Sequence, residues 1–294
     1  MSTLKARWRQ PSVSVEIVGG LGNQLFGYAL GLELSHRCTA PLNLLVEQRP
    51  GGSPAISSLD LPDDVQLVPH HAGTRRDLLW QLGRLSPHGR LITERRAGLF
   101  DPRVLEARPP TTLFGFFQSW RYFPSVADKL EQQLLGIQSP SREFEAIRDE
   151  LEGIRPFVGV QVRRGDYLGL QDYHGLASDR YFSQALRLIN PERLPVVAFT
   201  DDQSGWRPNW LSDGQKPDLV LSPSDVPDAR ETLMLLASSE RLVISNSSFG
   251  WWGAWLGSRR GAPVIAPRPW FASREKDTRD LLPLEWITLD LRER

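Results

Sequence analysis

Short apolar runs alternate with segments of helical periodicity along this 294-residue sequence. In the first half, four runs rich in leucine and β-branched residues predict strands, at residues 13–18, 42–46, 65–69 and 112–117. Helical spacing of apolar residues predicts helices at residues 25–34, 75–85, 127–135 and 142–151. Residues 50–62 are rich in Gly, Ser and Pro and predict a surface loop, whereas the arginine-rich residues 84–108 predict no regular element.

The second half alternates more regularly. Strands are predicted at residues 158–162, 196–200, 219–221, 242–245 and 264–266, and helices at residues 179–189, 229–238 and from 245–248 through 257. Strands that alternate with helices favour a parallel sheet built from βα units. No internal repeat with a fixed period is present. The pattern therefore predicts an α/β fold, with residues 154–156 as a linker into the strand that follows them.

Composition narrows the classes of partner. Apolar residues make up 40% and charged residues 24%, which is typical of a globular protein, and a net charge of +0 gives no global attraction to nucleic acid or anionic membranes. Cys38 is the single cysteine, so no internal disulfide can form, which fits a reducing compartment. No run of 18 apolar residues predicts a membrane span, and the basic residues 1–10 lack the apolar core of a secretory signal.

The first predicted strand ends in a glycine-rich turn, Gly19-Gly20-Leu21-Gly22-Asn23-Gln24. A glycine turn between a strand and a helix lets the backbone approach a phosphate, which the N–H groups at the helix start can bind. The turn matches neither a GxGxxG fingerprint nor a P-loop, and glycine turns after a first strand are common. Asn23 and Gln24 could fix the loop shape or bind a polar ligand, and capping of the helix by Asn23 is an equal alternative.

The strand at residues 158–162 leads into a loop that begins Arg163-Arg164-Gly165-Asp166. Side chains alternate along a strand, so Val158, Val160 and Val162 are expected on one face. Gln161 and Arg163 are then expected on the other face. Two cations at a strand end are costly to bury without an anionic partner, and the planar guanidinium suits phosphate oxygens. An Arg–Asp ion pair that closes the loop and a phosphate site are both consistent with these residues.

A second polar cluster lies where another predicted strand ends and a helix begins, at Ser245-Asn246-Ser247-Ser248. The N–H groups and the positive dipole end of that helix favour an anion, and serine hydroxyls can donate to phosphate oxygens. A plain N-cap needs only one of these serines, so the number of polar residues favours a phosphate site. Farther along the helix, Trp251 and Trp255 share one face and predict packing against the sheet.

Two acidic residues, Asp201 and Asp202, follow the strand at residues 196–200. Neighbours in an extended backbone diverge, so one carboxylate is expected in the site and the other in the loop. A divalent cation on a single carboxylate is an option, which the two arginines make unnecessary. Candidate general bases in the loop after the arginines are Asp166, Asp172 and His174.

Amide and aromatic side chains follow the strand at residues 112–117, at Gln118-Ser119-Trp120. Aromatic rings beside amides suit the face of a sugar, and they suit ordinary core packing equally well. These residues are therefore candidates for contact with a carbohydrate, with packing as the alternative.

Taken together, these segments resemble the α-1,2-fucosyltransferases of glycosyltransferase family 11. The matching motifs occur in family order between residues 17 and 256. They are residues 19–26 with Tyr28-Ala29, Phe117-Gln118-Ser119 with Tyr122-Phe123, residues 161–167, Thr200-Asp201-Asp202 and residues 245–256. The sequence departs from the family at Gln161, where histidine is usual, and at Gly250, where serine is usual. Glutamine keeps a polar reach but carries no charge at neutral pH.

The resemblance implies an α/β, GT-B-like fold, with two Rossmann-like lobes whose parallel sheets face a central cleft. Residues 12–153 would form the acceptor-side lobe and residues 154–294 the lobe that binds GDP-fucose. It implies an inverting, metal-independent transfer of L-fucose from GDP-β-L-fucose to O2 of a terminal β-galactoside, with no cofactor required. The expected partners are GDP-fucose and a β-galactoside glycan, with no nucleic acid. A bacterial cytoplasmic enzyme without an integral membrane segment is expected, and peripheral membrane association stays open.

The resemblance also assigns roles to single residues. Arg163 would stabilise the charge on the departing GDP. The expected donor contacts are Gly20, Gly22, Asn23, Gln24, Gln161, Arg163, Arg164, Asp201, Asp202, Ser245, Asn246, Ser247 and Ser248. The expected acceptor contacts are Gln118, Trp120 and His174, the expected catalytic residues are Arg163, Asp166 and His174, and no metal ligand is expected. A non-catalytic nucleotide-sugar or glycan-binding protein, and a transferase that uses another nucleotide sugar, are the alternatives.

Overall fold

The structure is a computed structural model that describes residues 11–47, 53–70, 90–164, 177–202, 216–271 and 278–291. The helix predicted at residues 75–85 lies outside this part of the chain, as do Asp166, Asp172 and His174. The chain divides into two compact units. The first comprises Met1–Gln133 with Asp277–Leu281, and the second comprises Leu134–Lys276 with Leu282–Arg294.

The first unit contains a parallel sheet of five strands in the order β3-β2-β1-β5-β4. In chain order the elements are β1 (Val13–Ile17), α1 (Leu21–Cys38), β2 (Leu42–Glu47), β3 (Val65–His70), β4 (Arg90–Thr93) and β5 (Thr111–Phe114). Short 3₁₀ helices lie at Ala55–Ser58, Pro102–Glu106 and Trp120–Tyr122. Strand β1 is central in the sheet, so the glycine-rich turn that follows it starts from the middle of the carboxyl edge.

Helix α1 packs directly on the sheet because glycines face the strands. A Cβ at Gly31 would lie 2.7 Å from Leu42 Cδ1, and one at Gly27 would lie 3.0 Å from Ile17 Cδ1. Most of α1 is buried on all sides, which explains its mostly apolar sequence. The buried carboxylate of Glu33 accepts hydrogen bonds from Arg37 Nε at 2.6 Å and from the Ser125 backbone N–H at 2.9 Å. This polar group is therefore satisfied inside the unit.

The second unit contains a parallel sheet of six strands in the order β11-β10-β9-β6-β7-β8. The chain enters it through α2 (Ala127–Leu135), in which the division between the units falls. The remaining elements are α3 (Arg142–Gly153), β6 (Val158–Val162), α4 (Asp179–Ile189), β7 (Val196–Thr200), β8 (Leu219–Leu221), α5 (Ala229–Ala237), β9 (Arg241–Ile244), α6 (Ser248–Arg259), β10 (Val264–Arg268) and β11 (Ile287–Asp290).

The two faces of β6 serve different purposes, as the alternation of its side chains predicts. Val158, Val160 and Val162 belong to a buried apolar cluster with Tyr181 and Phe182 of α4, which confirms the predicted core face. The hydroxyl of Tyr181 donates to the Ile244 carbonyl at 2.7 Å, and burial raises the pKa of this tyrosine well above its usual value. The other face of β6 carries Gly159 and the buried Gln161.

The tryptophans of α6 are core residues. Trp251 and Trp252 are fully buried, and the rings of Trp251 and Trp255 stack with their centroids 6.3 Å apart. Trp286, just before β11, also contacts Trp251, with 5.7 Å between ring centroids. This arrangement confirms the prediction that the tryptophans pack in the core.

Several boundaries differ from the predicted ones. Strand β5 ends at Phe114, whereas the sequence predicted a strand up to residue 117. Gly115 has a φ of 147° and Phe117 a φ of 48°, and both values lie far from the negative φ of a regular strand. Strands β4 and β11 are short and carry no buried residue, so their sequences give no clear apolar pattern. The predicted domain boundary at 153/154 differs from the division at 133/134, since Ser141 beside α3 donates to Glu231 of α5 through Oγ at 2.5 Å. Within the described ranges, no helix is both long and apolar enough to cross a membrane.

Candidate functional site

Arg163 and Asp201 meet at the carboxyl edge of the second sheet. Each follows one of two neighbouring parallel strands, β6 and β7, so their side chains start side by side. Arg163 Nε lies 3.1 Å from Asp201 Oδ2, and the other oxygen, Oδ1, accepts the Arg164 backbone N–H at 2.8 Å. The carboxylate therefore fixes both the side chain of Arg163 and the start of the loop behind it. Arg163 thus forms an ion pair with Asp201, whereas the pair predicted within its own loop involves Asp166, which lies outside the described residues.

Ser245 connects the end of β9 to the same place. Its hydroxyl accepts the Arg163 backbone N–H at 3.1 Å and donates to Gln161 Oε1 at 2.7 Å. Its own backbone N–H donates to the Gln161 carbonyl at 3.0 Å. Ser245 and Gln161 are both buried. Within the protein these two residues hold the backbone of Arg163, and their contact with the donor stays a prediction.

Helix α6 begins at Ser248, three residues after Ser245. Ser247 is the N-cap residue, but its side chain makes no capping hydrogen bond, so a plain serine N-cap is not what the cluster provides. No acidic residue lies in the first turn, which leaves the positive end of the helix dipole without a built-in counter-charge. Ser248 is half-buried, whereas Asn246 is buried and donates to the Trp270 carbonyl at 3.0 Å. The cluster thus combines two buried residues that are hydrogen-bonded within the unit, Ser245 and Asn246, with an N-cap side chain that makes no capping bond.

The glycine-rich turn of the first unit is shaped by its own amides. Gln24 Nε2 donates to the Gly19 carbonyl at 2.7 Å, and its Oε1 accepts the Ile56 backbone N–H at 2.8 Å. Asn23 Oδ1 accepts Gln118 Nε2 at 2.8 Å, which joins the turn to a second motif. These bonds show that the amides shape the loop, and their contact with a polar ligand stays a prediction. Asn23 is not the N-cap of α1. That position is Gly20, which has no side chain to form a capping hydrogen bond.

Gly19 is the one glycine in this turn that the backbone requires. Its φ of 78° lies in the left-handed region, and a Cβ there would come within 2.7 Å of Asn23 Nδ2. Gly20 is exposed, with no atom within 4 Å of an added Cβ, and Gly22 is buried in the first turn of α1. The turn therefore presents an open backbone at the start of α1.

The loop after β5 is held by a carboxylate that the sequence does not single out. Both Glu94 oxygens accept backbone N–H groups, from Phe116 at 2.9 Å and from Phe117 at 3.1 Å. Ser119 is fully buried and donates to the Asp280 carbonyl at 2.6 Å. Trp120 lies in a short 3₁₀ helix and is half-buried. Glu94 follows the edge strand β4 in the arginine-rich segment, so its role could not be predicted from the sequence. The one sequence signal of an unusual loop here is Gly115, which precedes two phenylalanines.

The structure therefore gathers the predicted residues into two groups, one in each unit. In the second unit, hydrogen bonds join Gln161, Arg163, Arg164, Asp201 and Ser245, which we call the arginine site. In the first unit Gln118 donates to Asn23, and Gln24 donates to the Gly19 carbonyl of the same turn. Asp202 follows Asp201, and its backbone N–H donates to Thr200 Oγ1 at 3.1 Å. Among the residues that the structure describes, no group of three or more His, Cys, Asp or Glu side chains could hold a metal ion.

Comparison with known proteins places these features in one family. The sequence model described as Glycosyl transferase family 11 matches residues 105–290, which is more than half of the chain and includes the arginine site. The chain belongs to glycosyl transferase family 11. The predicted resemblance to this family is confirmed.

Curated relatives of this family 11 glycosyltransferase align over nearly its whole length. An alpha-1,2-colitosyltransferase from Escherichia coli is 24% identical, with 95% of this chain and 99% of the relative covered. A galactoside alpha-(1,2)-fucosyltransferase 2 from Sus scrofa is 26% identical, with 98% of this chain and 81% of the relative covered. These relatives are glycosyltransferases that are named for different sugars.

Comparison with a solved structure supports the assignment of the fold. A glycosyl transferase family 9 protein from Veillonella parvula superposes with a TM-score of 0.52, covering 97% of this chain and 88% of its own, at 9% sequence identity. This likeness concerns the fold alone. With the two parallel sheets, each in its own α/β unit, it confirms the predicted GT-B-like class.

Proposed function

We propose that this family 11 glycosyltransferase transfers L-fucose from GDP-β-L-fucose to O2 of a terminal β-galactoside, with inversion and without a metal ion. The observation that carries the proposal is the arginine site. Asp201 pairs with the Arg163 guanidinium, and the Ser245 hydroxyl accepts the Arg163 backbone N–H. Ser245 lies three residues before the first residue of α6, whose N-cap side chain makes no capping hydrogen bond. Cationic and N–H donors that are fixed in advance suit a diphosphate whose charge grows as it leaves.

Arg163 supports the departure of GDP in this proposal. A guanidinium has five N–H donors, so engagement of Nε by Asp201 is compatible with contacts from the same fork to diphosphate oxygens. The bond between the fucose anomeric carbon and the phosphate oxygen breaks, and the electron pair leaves on GDP. The acceptor O2 forms the new bond from the opposite face and gives its proton to a base. Asp166 and His174 stay the predicted bases, and both lie outside the described residues.

The proposal divides the predicted donor contacts between the two units. Asp201 orients Arg163 and Arg164, and either Asp201 or Asp202 is the proposed contact to the nucleoside of GDP. Ser247, Ser248 and the first N–H groups of α6 are the proposed phosphate contacts in the second unit. In the first unit, contacts from Gly20 and Gly22 to the donor, and from Gln118 and Trp120 to the acceptor, stay predictions that rest on the family resemblance.

The first prediction concerns Arg163→Ala. The variant should fold normally and lose turnover by on the order of a hundredfold or more, because it removes a fixed donor to the leaving group. GDP release from GDP-fucose should be measured with and without a β-galactoside, and again with EDTA present, which should not reduce the rate. Arg148→Ala is the matched control, since Arg148 pairs with Asp149 on the surface of α3. Full turnover in Arg163→Ala would contradict the proposed phosphate role.

A second candidate donor is favoured by the colitosyltransferase that aligns over 95% of this chain. Colitose lacks the 3-hydroxyl group of fucose, so a site that hydrogen-bonds this hydroxyl strongly prefers fucose. Turnover with the GDP esters of both sugars would identify the donor. Calorimetry beside the same assay tests the alternative of a non-catalytic binding protein, which predicts donor binding without product.

A further inference from the structure

The two departures from the family motifs, Gln161 and Gly250, face each other in the second unit. A Cβ at Gly250 would lie 2.4 Å from Gln161 Oε1 and 2.9 Å from Gln161 Cδ. Real Cβ atoms essentially never come this close to another heavy atom. The glutamine carboxamide therefore occupies the space that any side chain at position 250 would need.

Gln161 has little freedom to move aside. Its side chain is 3% exposed, and its Oε1 accepts the hydroxyl of Ser245 at 2.7 Å. Ser245 is 0% exposed, and its hydroxyl oxygen in turn accepts the Arg163 backbone N–H. A shift of the carboxamide would thus break a buried hydrogen bond and release the group that holds Arg163.

We propose that Gln161 and Gly250 form a matched pair that positions Arg163. Gly250 provides the space, the carboxamide of Gln161 orients Ser245, and Ser245 holds the backbone of Arg163 at the end of β6. Gln161 is on this account a positioning residue. The catalytic consequence of the pair rests on the proposed function, whereas the packing between the two residues does not.

The backbone alone does not require glycine at position 250. Its φ is outside the left-handed region, and the residue lies in the first turn of α6. Alanine is the better helix former where nothing obstructs its methyl group. The pair therefore predicts a change of sign, in which Gly250→Ala destabilises the protein when Gln161 is present and does not when Gln161 is shortened.

The test of the pair is a double-mutant cycle on the full chain, with melting temperature as the readout. Gly250→Ala should lower the melting temperature by about 2–4 °C or more. The same change in a Gln161→Ala background should leave it unchanged or raise it. Gly153→Ala is the matched control, because Gly153 ends α3 with nothing within 4 Å of an added Cβ, and it should not lower the melting temperature. Equal losses from Gly250→Ala in both backgrounds would overturn the pairing.

A functional readout separates positioning from stability. Gln161→Ala, Gly250→Ala and the double variant should all lose kcat, by roughly ten- to a hundredfold, since a small misplacement of a catalytic group has effects of this size. The double variant should stay slow even though Gly250→Ala no longer lowers the melting temperature in that background. Ser245→Ala should cause a similar loss, and adding Gln161→Ala to it should cost little more. An unchanged kcat/KM in Gln161→Ala would overturn the positioning role.

The affinity for GDP, measured by calorimetry, tests the positioning of Arg163 without relying on the transfer reaction. If the wild-type protein forms no product from any donor, the proposed function fails, while the melting temperatures still decide the pairing. The positioning of Arg163 is then decided by GDP binding. Weaker GDP binding in Gln161→Ala supports that role, and unchanged binding overturns it.

Discussion

At the end of β7, a single carboxylate contacts two groups of the segment that follows β6, through one ion pair and one hydrogen bond. Asp201 holds the side chain of Arg163 and the backbone N–H of Arg164. The side chains of Arg163 and Asp201 are 31% and 20% exposed. Ion pairs that are partly open to water contribute little to stability, on the order of 1 kcal/mol or less. The importance of Asp201 therefore lies in the orientation it gives to the guanidinium.

The prediction at this scale is that Asp201→Asn separates activity from stability. The amide keeps an oxygen for the Arg164 N–H but loses the charge that holds Arg163, so kcat should fall about tenfold or more while the melting temperature changes little. Steady-state kinetics and thermal unfolding measure the two effects. Asp149→Asn on the surface of α3 is the control and should change neither. A large loss of melting temperature with kcat preserved would show that Asp201 is structural.

Much of the arginine site could be predicted from the sequence, and the reason is geometric. Carboxyl ends of parallel strands meet at one edge, so residues that follow predicted strands, such as Arg163, Asp201 and Ser245, are expected together. The partners of each side chain could not be predicted. The bond between Ser245 and Gln161 depends on the register between β9 and β6, which are far apart in sequence. The contact of Gln161 with Gly250 likewise depends on how α6 packs on the sheet.

At the scale of elements, the loop after β5 shows how one side chain determines a backbone path. Glu94 accepts two consecutive N–H groups from a segment in which Phe117 adopts a φ of 48°. A non-glycine residue in the left-handed region is strained by about 1 kcal/mol or more, so the bonds to Glu94 offset a real cost. The loop therefore depends on this carboxylate for its shape.

We predict that Glu94→Ala lowers the free energy of unfolding by about 2 kcal/mol, because two backbone N–H groups lose a charged acceptor. Glu94→Gln should lose less, since the amide oxygen can still accept one of the bonds. Denaturant unfolding measures the difference, with the exposed Glu106→Ala as a control that should have little effect. Equal stability of Glu94→Ala and the wild type would show that the loop keeps its shape without Glu94.

Long elements with strong apolar periodicity were predictable, and short edge elements were not. The predicted bounds of α2 and α4 coincide with those in the structure, because their apolar residues recur at helical spacing. Strand β4 has no fully buried residue, so its sequence resembles the irregular arginine-rich segment around it. Strand β4 is stabilised by its pairing with β5, and this pairing cannot be recognised from the local sequence of β4.

At the scale of the whole molecule, buried tyrosines in both units link stability to alkaline pH. Burial raises the pKa of Tyr122 to about 12 and raises the pKa values of Tyr28 and Tyr181 as well. In the unfolded chain these phenols ionise near their usual pKa of about 10. The folded protein therefore binds more protons than the unfolded chain above that pH, and stability falls as the pH rises.

The corresponding prediction is a melting temperature that declines from about pH 10 to about pH 12. Circular dichroism across this range measures the decline, and Tyr122→Phe should flatten part of it because that residue no longer ionises. The hydroxyl of Tyr122 also accepts the Asp101 backbone N–H at 2.9 Å, so the variant should be less stable at neutral pH. A profile that stays level up to pH 12 would refute the link between stability and tyrosine burial.

The chain passes between its two units more often than two consecutive domains require. After most of the second unit is complete, Asp277–Leu281 rejoins the first, and Leu282–Arg294 then returns to supply β11. Within the first unit, Asp280 accepts the Phe100 backbone N–H and pairs with Arg121, and its carbonyl accepts the Ser119 hydroxyl. No single cut can therefore yield two intact halves. Anyone who wishes to study the first unit in isolation must graft this returning peptide onto it, and a fragment that stops at residue 133 would lack the peptide that Ser119 and Arg121 contact.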